Sequence, residues 1–501
     1  MQFNSYDFVL FFPLVLLIYF VVPAKFRYIW LLISSYYFYM GWNPKYAILI
    51  AFSTIVTYVC GLILERANLI EDEKTKKKRK KYCVATGLLI NLAILFVFKY
   101  AGFTIESLNA IFAHINIKLI KLPFDIILPV GISFYTFQAL GYIIDVYRGD
   151  IKAEKNFAQY ALFVSFFPQL VAGPIERSKN LITQLNGLVQ VKVWDTKRMA
   201  NGAVLMLWGY FQKMVIADRV AILVNQVYDN YADYGAMAFI LASVFFAIQI
   251  YCDFGSYSNI AIGAAEIMGV RLMENFNAPY LATSISNFWK RWHISLSTWF
   301  RDYLYIPLGG NRCSKGRKYF NIMVVFLTSG LWHGAAWNYV LWGGLHGLYQ
   351  IVGDLLKPLK ERYYRKFKIN TTTKSFRLGQ IIITFILVDF AWIFFRASSF
   401  SQAINMMQNA LLHIDPWAIF DGSLYTWGLD AYEFWIATLS IVLLAIVDIV
   451  KVEKKSGLRD IFFRQSTPFR WIVYIGAICA IFLFGIYGPQ FTAQEFIYFQ
   501  F

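Results

Sequence analysis

NFWKRWHISLSTWFRDYLYIPLGGNR, Asn287–Arg312, decides how the rest of the chain is read. Its surroundings are as apolar as a membrane span, yet it holds Lys290, Arg291, His293, Arg301, Asp302 and Arg312. Ionisable groups near lipid are expensive, so their presence is a functional hypothesis. At 100° per residue Trp289, Trp292, Leu296, Trp299, Phe300 and Tyr303 fall on one stripe, so one amphipathic helix is expected. Lys290 and Arg301 share another face, and His293 lies at the border. Pro307 and Gly309-Gly310 end the helix. Taken alone, the pattern also fits an interfacial helix with snorkelling cations.

The next segment sharpens the reading. Tyr319 to Gly353 contains no Asp, Glu, Lys or Arg, and only His333 and His346 titrate there near neutral pH. The run is too long for one straight span of about 20 residues, so two spans or a broken one are expected. His333 lies fifteen residues beyond Lys318, about 22 Å along a helix and deep in the membrane. An imidazole there needs a partner or a purpose. His346, further along, reads as hydrogen-bonded scaffolding.

The whole chain of 501 residues is 58% hydrophobic and 15% charged, which excludes a soluble globular domain. An all-α polytopic membrane protein is expected, as one continuous domain over residues 1–501. The net charge of +17 is first a topology signal, and no nucleic-acid motif accompanies it. Five scattered cysteines with no C-x-x-C pair support neither a disulfide framework nor a metal site. Apolar runs place spans near 8–22, 28–41, 46–64, 83–99, 126–147, 157–173, 200–217, 236–252, 319–331, 335–353, 378–395, 433–450 and 471–488. Segments 105–117, 253–272, 284–306 and 402–413 read as interfacial, re-entrant or short. The basic runs Lys74–Lys81, Lys357–Arg377 and Lys451–Arg470 mark the cytoplasmic side. The acid-rich loop with Asp415, Asp421, Asp430 and Glu433 is then outside, and so is the C-terminus.

Four segments carry a resemblance: FWKRWHISLSTWFRDYLYIPLGGNR (Phe288–Arg312), LWHG (Leu331–Gly334), PVGISFYTFQALGYIIDVYRG (Pro129–Gly149) and FFPQLVAGPIER (Phe166–Arg177). Together they resemble the membrane-bound O-acyltransferase superfamily (MBOAT), in its branch that O-acetylates alginate and other polysaccharides. A more distant likeness is to the branch that transfers D-alanine to teichoic acid. The resemblance implies a helical fold with re-entrant or interfacial helices around a funnel through a bacterial cytoplasmic membrane. It also implies an O-acyltransferase with acetyl-CoA as donor and no metal.

An acyl transfer needs a base and a positive environment for the developing oxyanion. His333 is the candidate base and His293 the candidate second histidine. Lys290, Arg291, Arg301 and Arg312 are candidates for steering the anionic cofactor, with Arg317 and Lys318 beside them. Arg291 and Arg312 also fit a second role, as ion-pair partners of Asp302. The terminal F-x-Y-x-x-F pattern, Phe496, Tyr498 and Phe501, reads on composition as an aromatic belt anchor. By the resemblance, Tyr498 is an acyl relay. The resemblance further implies an extracytoplasmic SGNH or serine-hydrolase-like acetyltransferase partner, polysaccharide synthesis machinery, and contact with membrane lipids but not nucleic acid. A flippase for a lipid-linked sugar is the competing class, since it too predicts broken helices and intramembrane charge.

Overall fold

A computed structural model describes residues 1–115, 117, 119–120, 128–454, 458–487 and 496–497. Among these residues every regular element is a helix. That follows from the solvent: a spanning segment in lipid must satisfy its backbone internally. Among the described residues, six helices are long and apolar enough to cross a membrane: Tyr46–Ala67, Glu73–His114, Ala236–Ile267, Lys374–Arg396, Ala431–Lys454 and Thr467–Phe484.

Three sequence expectations change. Residues 157–173 do not form a span: Phe157–Ser165 is a nine-residue helix, and the chain then runs non-helical to Arg177. Pro168 and Pro174 are the cause, since each lacks an N–H and restricts the residue before it. Segment 105–117 is not separate; it continues the preceding helix to His114 through a π-turn at Phe96–Tyr100. Most of 253–272 likewise continues the helix Ala236–Ile267.

The chain gathers into two compact units: Met1–Met206 with Ile260–Met273, and Leu207–Asn259 with Glu274–Phe501. In the first, Tyr46–Ala67, Glu73–Leu95 and Ile132–Arg148 pack mutually. Phe166–Gly173 is buried beside them, where irregular backbone is tolerable because protein rather than lipid surrounds it. The side-chain amides of Gln138 and Gln169 both donate to the Phe163 carbonyl there, at 2.5 and 3.2 Å. Asp145 accepts from Ser178, and Glu176 accepts from Asn180 and the Met273 N–H.

The second unit is built around a helical hairpin, Lys315–His333 and Trp337–Lys366, broken at Gly334–Ala336. This is the pair of helices expected between Tyr319 and Gly353, but the second runs on through the basic residues to Lys366. The two backbones approach so closely that a Cβ on Gly330 would strike the Tyr339 carbonyl, and one on Gly343 the Phe326 carbonyl. Small residues serve this purpose in membrane helix pairs. Gly343→Val is therefore expected to destabilise the protein by about 1–3 kcal/mol or more, from overpacking against rigid backbone. A melting midpoint in detergent equal to wild type would refute that close approach.

Candidate active site

The deciding stretch is not one helix. Ser284 caps Ile285–Trp289 by accepting the Asn287 N–H, and the helix stops after five residues. His293 then takes a left-handed conformation (φ 45°, ψ 53°), and a second helix runs Ile294–Phe300. A π-turn at Arg301–Tyr305 follows. A left-handed non-glycine residue costs on the order of 1–3 kcal/mol and persists only where its surroundings dictate it. Here Asn275 dictates it. The Asn275 backbone carbonyl accepts the Ile294 N–H at 3.0 Å. Its side-chain oxygen accepts from the Ser295 hydroxyl at 2.8 Å and lies 3.2 Å from His293 Nδ1. The Asn275 amide nitrogen donates to Ser258 Oγ at 3.2 Å, which fixes which end of the amide faces the histidine.

This contact sets the tautomer. An amide oxygen only accepts, so His293 donates through Nδ1–H and its basic lone pair resides on Nε2. The break also turns His293 toward the hairpin. Its ring centroid lies 6.1 Å from that of His333, the last residue of Lys315–His333. Both imidazoles are buried, at 0% and 3% exposure. Aromatic rings surround them: Phe254 at 4.7 Å and Trp332 at 5.8 Å from His293, Trp342 at 5.0 Å and Phe395 at 5.6 Å from His333. Trp342 also touches His346 at 5.0 Å. His346 Nδ1 accepts the Trp289 indole N–H at 3.2 Å, so this third imidazole fixes a tryptophan.

Beside the pair lies a cavity of about 1600 Å³. That exceeds the roughly 300–1,000 Å³ of a site for a drug-sized ligand. Among the described residues its wall carries five cations, Lys290, Arg301, Lys318, Lys357 and Lys360, against two carboxylates, Asp354 and Glu361. Lys318 pairs with Asp354 at 2.8 Å, which holds that carboxyl below the usual range. The lining reaches Trp289, Phe326 and Ser329. Ser329 stands one helical turn before His333, and His333 itself is not part of the lining. The cavity thus ends one turn short of His333, the candidate base, in this conformation. Bulky rings enclosing the imidazole are the physical reason.

The model of the membrane-bound O-acyltransferase family matches residues 150–400. The chain is also 37% identical over 425 residues to the probable alginate O-acetylase AlgI of Azotobacter vinelandii, covering 84% of this chain and 80% of that protein. This chain belongs to the MBOAT family. Another relative is the peptidoglycan O-acetyltransferase of Helicobacter pylori, 32% identical over 431 residues, covering 79% of this chain and 77% of that protein. A more distant one is the teichoic acid D-alanyltransferase of Bacillus subtilis, 27% identical over 298 residues, covering 56% and 71%.

Within this MBOAT chain the residues singled out from sequence divide in three. His293 and His333 come together, and Lys290 and Arg301 line the cavity. Arg291 and Arg312 do not line it. Arg291 bonds Asn287 Oδ1 and the Asn277 carbonyl, both at 3.1 Å, and so ties down the turn before His293. Arg312 is exposed. The ion pair proposed for Asp302 forms instead with Arg301, at 2.7 Å. Tyr498 lies outside the described residues. Sequence reading passed over Asn275, Lys357 and Lys360. The two lysines had a usable signal: they stand three residues apart, and so share a helix face once the Trp337–Lys366 helix is known to continue.

Proposed function

We propose that this chain takes an acetyl group from coenzyme A in the cationic cavity and passes it across the membrane for O-acetylation of an extracytoplasmic polysaccharide. The observation that carries the reading is the buried histidine pair set beside a cavity rich in lysine and arginine. Phosphates need cations, and an acyl transfer needs a base in a dry site. Lys357 and Lys360 belong to a basic run that marks the cytoplasmic side, where acetyl-CoA is available. The kinds of acceptor named for the relatives, alginate and peptidoglycan, support a polysaccharide hydroxyl as the final acceptor.

In the reaction the acceptor oxygen attacks the thioester carbonyl, a C–O bond forms and the C–S bond breaks. The proton of the acceptor passes to the basic imidazole, His333 with His293 beside it, and then to the departing thiolate. Coenzyme A leaves as the free thiol. With Tyr498 as relay, its phenol oxygen receives the acetyl first. A polysaccharide hydroxyl, presented by an extracytoplasmic partner, then takes the group and regenerates the phenol. The rings around His333 exclude water, which would otherwise hydrolyse the thioester, and they must part to admit it.

The test is acetyl-CoA-dependent thiol release by the purified protein in vesicles. A flippase releases none. Lys357→Glu with Lys360→Glu is expected to raise KM for acetyl-CoA at least tenfold with kcat little changed, the signature of lost uniform binding. Added salt should raise the wild-type KM in the same direction. A KM unmoved by either would exclude this cavity as the donor site.

A further inference from the structure

Outside the histidine pair, the most unusual feature of the second unit is a buried ion cluster. Lys213 bridges Asp218 at 2.9 Å and Asp253 at 2.6 Å, with all three residues no more than 4% exposed. Lys213 lies on a π-helical turn, Phe211–Ala217, a distortion frequent at functional sites. One ammonium between two carboxylates leaves an excess of negative charge in a dry place, so further donors are needed. One comes from far along the chain. The Ile497 N–H donates to Asp253 Oδ2 at 2.6 Å. The Phe496 ring covers the Lys213 ammonium at 4.4 Å and meets Tyr257 edge-on at 4.9 Å. Phe496 and Ile497 are themselves buried, at 1% and 3% exposure. Phe496 and Ile497 are inserted into protein here, while Tyr498 and Phe501 of the same pattern lie outside the described residues.

We propose that the Lys213–Asp218–Asp253 cluster is the seat of the C-terminal tail, and that Lys213 and Asp253 are positioning residues for Tyr498. The positioning role rests on the relay reading above. The geometry ties the seat to the histidines. On the helix Ala236–Ile267, Asp253 and Tyr257 stand four residues apart and hold the tail. Phe254 and Ser258, also four apart on the adjoining face, hold His293 and Asn275. One and a half helical turns therefore serve both sites. Tyr498 follows Ile497 directly in the sequence.

The test uses the full-length protein and leaves the buried charges intact. Ile497→Pro deletes the N–H given to Asp253, and Phe496→Leu deletes the ring face over Lys213 while keeping an apolar side chain. Phe496→Trp keeps a ring face. A thermal melt checks that each variant is folded. In detergent, carboxypeptidase should stop before Ile497 in wild type and Phe496→Trp, and trim past Phe496 in Ile497→Pro and Phe496→Leu. The same two variants should lose at least tenfold in kcat for acetyl transfer, with KM for acetyl-CoA unchanged. Equal trimming of all four proteins overturns the seat. Lost protection with full kcat overturns the positioning role. Full-rate transfer by Tyr498→Phe overturns the relay reading instead, and the trimming result still decides the seat.

Discussion

Replacing His333 with alanine is expected to lower acetyl-CoA-dependent acetyl transfer by about 10²–10⁴-fold, the usual worth of a positioned general base. The imidazole occupies the last residue of an apolar helix and is 3% exposed. An imidazole in such a place is costly, and a residue kept only for packing would be better served by leucine or phenylalanine. His333→Gln should fall by a similar factor, because glutamine approximates the volume and keeps hydrogen-bonding atoms but has no usable basicity. If both variants melt near the wild-type temperature, the loss belongs to chemistry. KM for acetyl-CoA should stay near wild type, because His333 does not line the cavity. Full activity in His333→Gln would remove the base from the mechanism and leave the imidazole a structural role.

Much of this arrangement was legible in the chain because lipid makes sequence patterns unusually informative. Charge is so expensive in an apolar run that the emptiness of 319–353 pointed straight at its two histidines. Length alone implied two spans or a broken one there, and the structure shows two helices broken at Gly334–Ala336. What periodicity could not reveal was the break at His293. The stripe from Trp289 to Tyr303 fits an unbroken helix, because helical spacing cannot register a single left-handed residue. The cause lies in Asn275, eighteen residues away, and no local propensity encodes a contact of that kind. The same limit hid two cations of the cavity wall. Lys357 and Lys360 read as a cytoplasmic basic run until helix continuity placed them with Lys290 and Arg301 around one space. The charge of Lys213 was hidden differently, inside an expected span at 200–217, where its two carboxylate partners come from Asp218 and Asp253.

The role assigned to Asn275 yields the second large effect. Asn275→Ala removes the acceptor for the Ser295 hydroxyl and His293 Nδ1 together, and the donor to Ser258. Each buried group left unsatisfied costs about 1–3 kcal/mol, so the variant should melt lower than wild type. The kinetic consequence is more specific. With its acceptor gone, the contact that selects the tautomer with Nε2 basic is lost, and the left-handed turn that brings His293 to His333 loses its main restraint. A fall in kcat of about 10²-fold is expected, at the low end of general acid–base contributions. His293→Ala should fall by a similar factor. The double variant should fall no further than the worse single one, because both changes remove one function and residues acting as a unit are not additive. Asn275→Asp retains the acceptor oxygens and should recover part of the loss, which a merely structural asparagine would not predict. Losses that multiply in the double variant would show that Asn275 and His293 act separately, and that the tautomer and turn argued here are not what the site requires.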